Sequence, residues 1–395
     1  MPITASLLDL KFVLLLVLIG VVRAIWPSRH YVIFGALASA AVVALAAPAT
    51  FLVIAVITVG FLFPLHFLMC TAHERNWSRW ISNSLLPVGA VALVALMVGF
   101  KVYRFFAIPW LGGAWIRGEV VALIGFSYFL FRAINFLHIQ SILRIKESSP
   151  WTLLYYGLFP PTLTSGPIQK FQDFRQQVAS PAPLTISLVG TAVYRVTRGY
   201  FRKLVVAYVF NQFAMQLLAV DHPTVVTTVA IITLSYLFFY YDFAGYSDIA
   251  IGFGLLMGIR VPENFRKPFH ATTVSEFWRN WHITLVDWLR DQVFIPLGGM
   301  SVSRVRAAFL SFMIMVLCGL WHGLTLSFLA WGIWHGTMLF TEAIFGTKPV
   351  PPAFRHGPKY WLRVFWTNAR VAFGVIFFFP HSGVILRLLR GFVTW

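Results

Sequence analysis

The chain has 395 residues, of which 59% are hydrophobic and only 11% charged, with a mean hydropathy of +0.77. Soluble domains carry about 25% charged residues, so this composition excludes an ordinary soluble globular protein and indicates a membrane protein. The net charge of +18 comes from Lys and Arg residues that lie mainly between apolar runs. That placement is typical of a basic cytoplasmic face and argues against nucleic-acid binding.

Apolar runs recur along the whole chain. At about 20 residues per passage they tile into roughly ten to twelve transmembrane helices, and we predict about 11. The runs are 12–22, 31–47, 51–70, 85–100, 120–139, 204–219, 225–240, 307–320, 324–345 and 361–379. We expect 12–22 to be a retained helix rather than a signal peptide. The Trp- and Arg-containing segment 74–80 is typical of a membrane interface.

Two features of the middle of the chain predict polar structure at membrane depth. Arg132, Asn135 and His138 recur at helical spacing on one face, which favours a helix facing the protein interior or, alternatively, lining a cavity. Segment 159–168, which includes Ser165 and Pro167, holds three prolines and one glycine, so it cannot continue a helix. A broken or re-entrant element is predicted, with a plain interfacial loop as the alternative.

Asp242, Ser247 and Asp248 adjoin an apolar run in a chain with only 13 acidic residues. Charged groups in such a setting are costly and are usually paired or functional. We favour ion pairing with basic residues over catalysis, and a proton path through the two aspartates is the alternative.

Segment 277–291 predicts an amphipathic helix that lies at, or dips into, the membrane interface. At 100° per residue, Trp278, Trp281 and His282 fall on the apolar side and Arg279 on the polar side. Interfacial anchoring explains the tryptophans. It does not explain a histidine on the apolar side.

His322 is the sharpest candidate for chemistry, although an isolated histidine on an apolar helix is more often a hydrogen-bonded core residue. Gly319 and Gly323 flank it and would leave room for a substrate to approach. A neutral imidazole in apolar surroundings would suit a general base acting on a hydroxyl. The chain contains no zinc-protease, nucleophile-elbow, P-loop or dinucleotide motif, and haem or metal held by paired histidines stays open.

Five ordered motifs span about a hundred residues: YDFAGYSDIA (241–250), NFRKPF (264–269), EFWRNWHITL (276–285), FIPLGG (294–299) and GLWHG (319–323). At these residues the sequence resembles the membrane-bound O-acyltransferase (MBOAT) superfamily. It is most similar to the bacterial cell-envelope branch, which includes the alginate O-acetylases, the peptidoglycan O-acetyltransferases and the D-alanyl transfer protein DltB. The resemblance is weaker but continuous from about Gly125 onward.

The resemblance implies an all-α polytopic membrane protein with re-entrant and interfacial helices around a central tunnel. It further implies that His322 is the catalytic base at the narrow point and that His282 is its polar partner. The expected substrate or tunnel residues are Asn264, Trp278, Arg279, Trp281, Trp321, Ser165, Pro167, Asp242, Ser247 and Asp248. We expect one membrane domain over 1–395, with peripheral helices in 1–120, the catalytic core in 121–345 and a C-terminal helix and tail in 346–395.

The resemblance also implies the reactants. An acyl thioester, on the phosphopantetheine of an acyl carrier protein or on coenzyme A, approaches from the cytoplasm, and no tightly bound cofactor is expected. The acceptor is a hydroxyl of an envelope polysaccharide or of an extracytoplasmic acyltransferase partner, and the location is the bacterial inner membrane. The segment TSGPI (164–168) favours D-alanyl transfer, whereas IPLGG (295–299) favours O-acetylation, so the resemblance does not decide which acyl group is transferred.

One alternative comes from another class of protein. A transporter of an anionic solute would line its path with Arg132, Arg279 and the broken segment near Pro167.

Overall fold

The computed structural model describes residues 16–17, 20, 30–74, 79–110, 125–143, 149–181, 183–220, 223–379 and 382–393. It is 82% helical, and the described residues contain no strand beyond one isolated bridge between Phe265 and Trp281. The predicted all-α class is therefore confirmed. Of the predicted first span 12–22, only residues 16, 17 and 20 are described; in the interfacial segment 74–80, residues 75–78 lie outside the described part.

The helices are α1 (Tyr31–Ala46), α2 (Pro48–Ile57), α3 (Phe63–Glu74), α4 (Arg79–Trp110), α5 (Phe126–Leu143), α6 (Pro150–Leu158), α7 (Pro160–Leu163), α8 (Phe171–Ala179), α9 (Ile186–Tyr200), α10 (Tyr208–Leu218), α11 (Val225–Leu256), α12 (Val274–Asn280), α13 (Ile283–Leu289), α14 (Arg304–His322), α15 (Leu326–Phe345), α16 (Gly357–Phe373) and α17 (Ser382–Gly391). Short π-helical turns join α2 to α3 and α9 to α10.

In the described part of the chain, three helices are long and apolar enough to cross a membrane, namely Thr50–Ala72, Val225–Leu256 and Arg304–His322. Two shorter apolar helices, Tyr31–Ala46 and Ser84–Phe100, accompany them. These elements agree with a polytopic membrane protein. The count of about 11 transmembrane helices stays a prediction.

The chain forms two compact units: unit 1 comprises residues 1–198 and 246–262, and unit 2 comprises residues 199–245 and 263–395. The core of unit 2 holds apolar side chains from α11, α12, α15 and α16, together with the 3₁₀ turn after α16. Phe277, Tyr236, Met338 and Val371 are among its members. This core fixes α12, which leads directly into the candidate site.

The predicted break in segment 159–168 is confirmed in unit 1, where α6 ends at Leu158 and α7 is a single turn. The buried side chain of Arg132, which is 2% exposed, donates to the carbonyl oxygen of Tyr156 at 2.8 Å and to the Thr162 hydroxyl. Asn135 accepts from the backbone N–H of Phe171 at 2.9 Å. The two polar residues therefore face the interior and stabilise the backbone groups that a broken helix leaves without helical partners.

Two expectations about helix boundaries were wrong. The motif 241–250 does not follow a span that ends at residue 240, because α11 continues without interruption to Leu256. Segment 277–291 is not one helix either: α12 ends at Asn280 and α13 begins at Ile283. The cause of the second break lies in the candidate site.

Candidate active site

The break between α12 and α13 comes from backbone pairing with the chain just upstream. The N–H of Ile283 donates to the carbonyl oxygen of Asn264 at 3.0 Å, and the N–H of Arg266 donates to that of Asn280 at 3.0 Å. Between these two bonds, His282 has a φ of 48° in the left-handed region, which costs a non-glycine residue about 1–2 kcal/mol. Such strain persists where neighbouring contacts impose it and is concentrated at functional sites.

Asn264 fixes the tautomer of His282. The Asn264 side chain is fully buried, and its Oδ1 accepts from Thr284 N at 3.3 Å and from Thr284 Oγ1 at 2.9 Å. The same oxygen lies 3.1 Å from His282 Nδ1. Because an amide oxygen only accepts, Nδ1 carries the proton. In the neutral ring, Nε2 is therefore the nitrogen with the lone pair.

His282 is neutral at physiological pH. The residue is 5% exposed, its ring meets Phe243 edge-to-face at 4.7 Å, and burial lowers its pKa to about 3. The charge of His322 lowers this pKa further in the same direction. The two histidines predicted to act together thus lie within electrostatic reach of each other in unit 2.

His322 is the last residue of α14. Its ring centroid lies 4.7 Å from that of Trp321, 5.9 Å from Phe328, 5.4 Å from Trp331 and 5.1 Å from Phe378. Despite these aromatic neighbours the residue is exposed. The imidazole is therefore not walled in, which is what a base that must meet a substrate requires.

The glycines beside His322 do not open space for a substrate, contrary to the sequence-based expectation. A Cβ added at Gly319 would collide with the carbonyl oxygen of Phe328 and would lie 3.1 Å from the backbone nitrogen of Gly332. A Cβ at Gly323 would lie 2.6 Å from the Phe328 ring. Gly319 instead lets α14 and α15 pack backbone to backbone, and Gly323 leaves room for the Phe328 ring.

The tryptophans of the predicted site differ in their surroundings. Trp281 stacks on Phe277 with centroids 5.4 Å apart, and Trp278 turns towards α15. Trp321 is half-buried beside His322. Arg279 is exposed, as its predicted position on the polar side of the helix requires.

A hydroxyl group and a carboxylate accept hydrogen bonds from the first N–H groups of α12 and so determine where this helix begins. Thr273 Oγ1 accepts from the N–H of Glu276 at 3.0 Å, an N-cap bond. The buried carboxylate of Glu342 on α15 accepts from the N–H groups of Val274 at 2.8 Å and Ser275 at 3.0 Å. Sequence reasoning missed Glu342, since nothing in its local pattern marks it as a partner of α12.

Four predicted site residues belong to unit 1. Ser165 is half-buried and donates its N–H to the hydroxyl oxygen of Tyr246 at 3.0 Å. Pro167, two residues further along the chain, is buried. Ser247 is also buried. Asp248 forms ion pairs with Arg195 at 3.0 Å and with Arg198 at 2.6 Å.

Asp242, in unit 2, pairs with the buried ammonium group of Lys203. Both aspartates of the motif 241–250 are therefore ion-paired, as the favoured interpretation expects. Their predicted role as substrate or tunnel residues stays a prediction. No group of three or more His, Cys, Asp or Glu side chains within the described ranges could hold a metal ion.

His335 is a further residue that sequence reasoning missed. It is 1% exposed, and its ring lies 5.1 Å from Trp278 and 4.6 Å from Trp331. A signal was present: GIWHG at 332–336 repeats GLWHG at 319–323 thirteen positions later. Trp331, which contacts both histidines, places the second copy of the pattern beside the first.

The chain is similar in sequence to several known bacterial proteins. The chain is 32% identical over 311 residues to the probable alginate O-acetylase AlgI of Pseudomonas fluorescens, covering 76% of this chain and 61% of that protein. It is 32% identical to the teichoic acid D-alanyltransferase of Bacillus subtilis (56% of this chain, 59% of that protein). It is 30% identical to the peptidoglycan O-acetyltransferase of Helicobacter pylori (70% of this chain, 56% of that protein).

The chain thus spans about 60% of the length of these curated relatives. The model of the membrane-bound O-acyltransferase family matches residues 110–380, a range that contains every predicted site residue. Since that match covers well over half of the chain, this protein belongs to the membrane-bound O-acyltransferase family.

Proposed function

We propose that the chain is an O-acyltransferase of the bacterial cytoplasmic membrane. It transfers an acetyl or D-alanyl group from a cytoplasmic thioester to a hydroxyl of an extracytoplasmic envelope polysaccharide or partner protein. Family membership supports the reaction class. The names of the relatives, which refer to alginate, teichoic acid and peptidoglycan, support an envelope polymer as the acceptor.

In the proposed reaction His322 is the general base. Its unprotonated nitrogen takes the proton of the acceptor hydroxyl while the oxygen attacks the thioester carbonyl carbon. The tetrahedral intermediate then collapses, the carbon–sulfur bond breaks, and the imidazolium returns the proton to the leaving thiolate. The products are an ester and a free thiol, and the base is regenerated without any further reactant.

The observation that carries this proposal is the pairing of an exposed His322 with a neutral, oriented His282. A second charged imidazole nearby would oppose the imidazolium that forms on His322 during the reaction. With its pKa lowered to about 3 by burial, His282 stays uncharged and leaves the proton to His322. Its Nε2 lone pair is fixed by Asn264 and can accept a hydrogen bond from a reacting group.

The charge distribution supports a negatively charged donor. The chain has 31 Lys and Arg residues against 13 Asp and Glu, and Arg279 on α12 is exposed. A basic surface attracts the phosphates of coenzyme A or an acidic carrier protein and raises their rate of encounter. Either donor fits the proposal.

The structure argues against Arg132 as a solute-binding residue of a transporter. Arg132 is 2% exposed and donates to the carbonyl oxygens of Tyr156 and Gly157 and to Thr162. A guanidinium group engaged in this way binds its own backbone rather than a solute.

The test is acyl transfer by the purified full chain in liposomes. With a radiolabelled acyl thioester and a hydroxyl acceptor, the wild type should form labelled ester, and His322→Ala should form none at equal protein level. Transfer by His322→Ala at the wild-type rate would remove His322 from the mechanism. A transporter would instead take up labelled anionic solute without any acyl donor.

A further inference from the structure

The C-terminal part of the chain is strongly basic. Residues 343–395 contain seven Lys and Arg residues and no Asp or Glu, although the whole chain has 13 acidic residues. Five of the seven basic residues lie between positions 348 and 370, in the loop between α15 and α16 and on α16 itself. A concentration of one sign of charge on one segment favours a partner of the opposite sign.

Two of these five cations already have partners within the chain. Arg355 pairs with the carboxylate of Glu276 on α12, and Arg370 lies 3.7 Å from the carboxylate of Glu342 on α15. The other three form no ion pair within the described part of the chain. Their charges are therefore available to an anion from outside the chain.

These three cations are Lys348, Lys359 and Arg363, and the structure brings them together. Arg363 donates to the carbonyl oxygen of Lys348 at 2.7 Å, which holds the loop against α16. Lys359 precedes Arg363 by one helical turn, so the two side chains share one stripe of the helix. Both lysines are exposed, and Arg363 is half-buried.

An exposed apolar stripe lies beside the cations on α16. Its members are Trp361, Leu362, Phe365 and Trp366, and each is more than half exposed. The opposite side of the helix contributes Val371 to the core of unit 2. Tryptophan beside basic residues is typical of the level at which a bilayer meets water.

The composition of α16 favours a position at that level. Its 17 residues include three basic residues and no acidic one, and in the described part of the chain it is not among the helices long and apolar enough to cross a membrane. Helices that lie in the membrane interface combine Lys and Arg with Trp, Phe and Leu in this way. Both the cations and the apolar stripe then face the same leaflet.

We propose that Lys348, Lys359 and Arg363 bind the phosphate of an anionic phospholipid, whose acyl chains cover the exposed apolar stripe of α16. Guanidinium and ammonium groups are the side chains that bind phosphate. A free phosphate ion would leave the stripe exposed. An acidic protein would have to match the shape of four apolar side chains, whereas lipid chains cover them without a specific shape.

The inference goes beyond the proposed function, because it concerns which lipid the protein binds rather than the reaction. The experiment uses the purified full chain in detergent and measures bound lipid by native mass spectrometry. Phosphatidylglycerol is compared with phosphatidylcholine of the same acyl chains. Phosphatidylglycerol should bind about 10- to 100-fold more tightly, since each cation near an anionic headgroup contributes about fivefold.

Variants locate the site. Lys348→Gln and Lys359→Gln should each weaken phosphatidylglycerol binding about fivefold and leave phosphatidylcholine binding within twofold. Lys170→Gln is the matched control, because Lys170 is an exposed lysine of unit 1, and it should change neither lipid. Arg363→Gln removes the bond to the Lys348 carbonyl as well as a charge, so the two exposed lysines decide the test, with thermal unfolding measured for every variant.

Several outcomes would overturn the inference. Equal affinity for the two lipids, or the same loss in Lys170→Gln, would show that no specific headgroup site exists. Full displacement of phosphatidylglycerol by millimolar inorganic phosphate would show an anion site without a lipid. Unchanged lipid binding in both lysine variants, with a raised KM for an acyl carrier protein donor but not for acyl coenzyme A, would show that this surface docks an acidic protein. Because the readout is lipid binding, each of these results leaves the test of acyl transfer independent.

Discussion

Asn264→Ala is the sharpest test of how the site is built. The substitution removes the one oxygen that accepts from His282 Nδ1, Thr284 N and Thr284 Oγ1. At about 1 kcal/mol net for each bond, the free energy of unfolding should fall by about 3 kcal/mol. The catalytic effect should be larger than the loss of stability implies, because His282 loses the partner that fixes its tautomer and orientation.

A misplacement of about 1 Å in an active site can lower a rate about 100-fold, and we expect a loss of that size in kcat for Asn264→Ala. The assay is ester formation in liposomes, with thermal unfolding in detergent measured in parallel. Asn368→Ala is the matched control. Asn368 also takes part in three hydrogen bonds, with Tyr236, Phe269 and Val364, and none of the three involves His282.

The two variants should lose similar stability, and only Asn264→Ala should lose activity. Equal activity of both variants would show that the orientation of His282 does not matter to the reaction. Equal loss in both would show that the reaction depends on overall stability rather than on this side chain.

Further predictions concern stability. Burial lowers the pKa of His282 to about 3 from its ordinary 6.5, so between these pH values the unfolded chain binds a proton at this residue that the folded chain does not. The free energy of unfolding should therefore fall as the pH drops below about 6.5, by up to about 1.4 kcal/mol per pH unit from this residue. An unchanged pH slope in thermal melts of His282→Gln would contradict this prediction. Glu342→Gln removes the charge that accepts from the first N–H groups of α12. It should lower the free energy of unfolding by about 1–2 kcal/mol and should also lower kcat. A variant that melts at the wild-type temperature would refute the role of Glu342. Gly332→Ala puts a Cβ 2.7 Å from the carbonyl oxygen of Met315 and should push α14 away from α15, which lowers the melting temperature. Gly190→Ala is the control, because its new Cβ meets nothing within 4 Å. Similar melting temperatures for the two variants would refute close packing as the role of Gly332.

Local sequence rules predicted what depends on local chemistry. The prolines of segment 159–168 break the helix because they lack an N–H and clash with the preceding turn. Arg132 and Asn135 face inward because a polar side chain at membrane depth needs a buried partner. The aspartates of motif 241–250 are ion-paired for the same reason.

What local rules missed depends on contacts between distant segments. Helical periodicity over 277–291 predicts one helix, but backbone pairing with Asn264 and Arg266 stops it at Asn280 and leaves His282 in a left-handed conformation. The glycine at 319 predicts space for a substrate, yet backbone atoms of α15 fill that space. His335 lies in an apolar run and was not predicted as a site residue, although the sequence around it, GIWHG, repeats the pattern GLWHG around His322.

The central claim is that His322 performs acyl transfer to an envelope polymer. The most direct measurement is mass spectrometry of envelope polysaccharides from cells that lack the protein and carry either the wild-type chain or His322→Ala, at matched membrane levels. Ester-linked acetyl or D-alanyl groups should be restored by the wild type and remain absent with His322→Ala. Equal acylation in both strains would contradict the account.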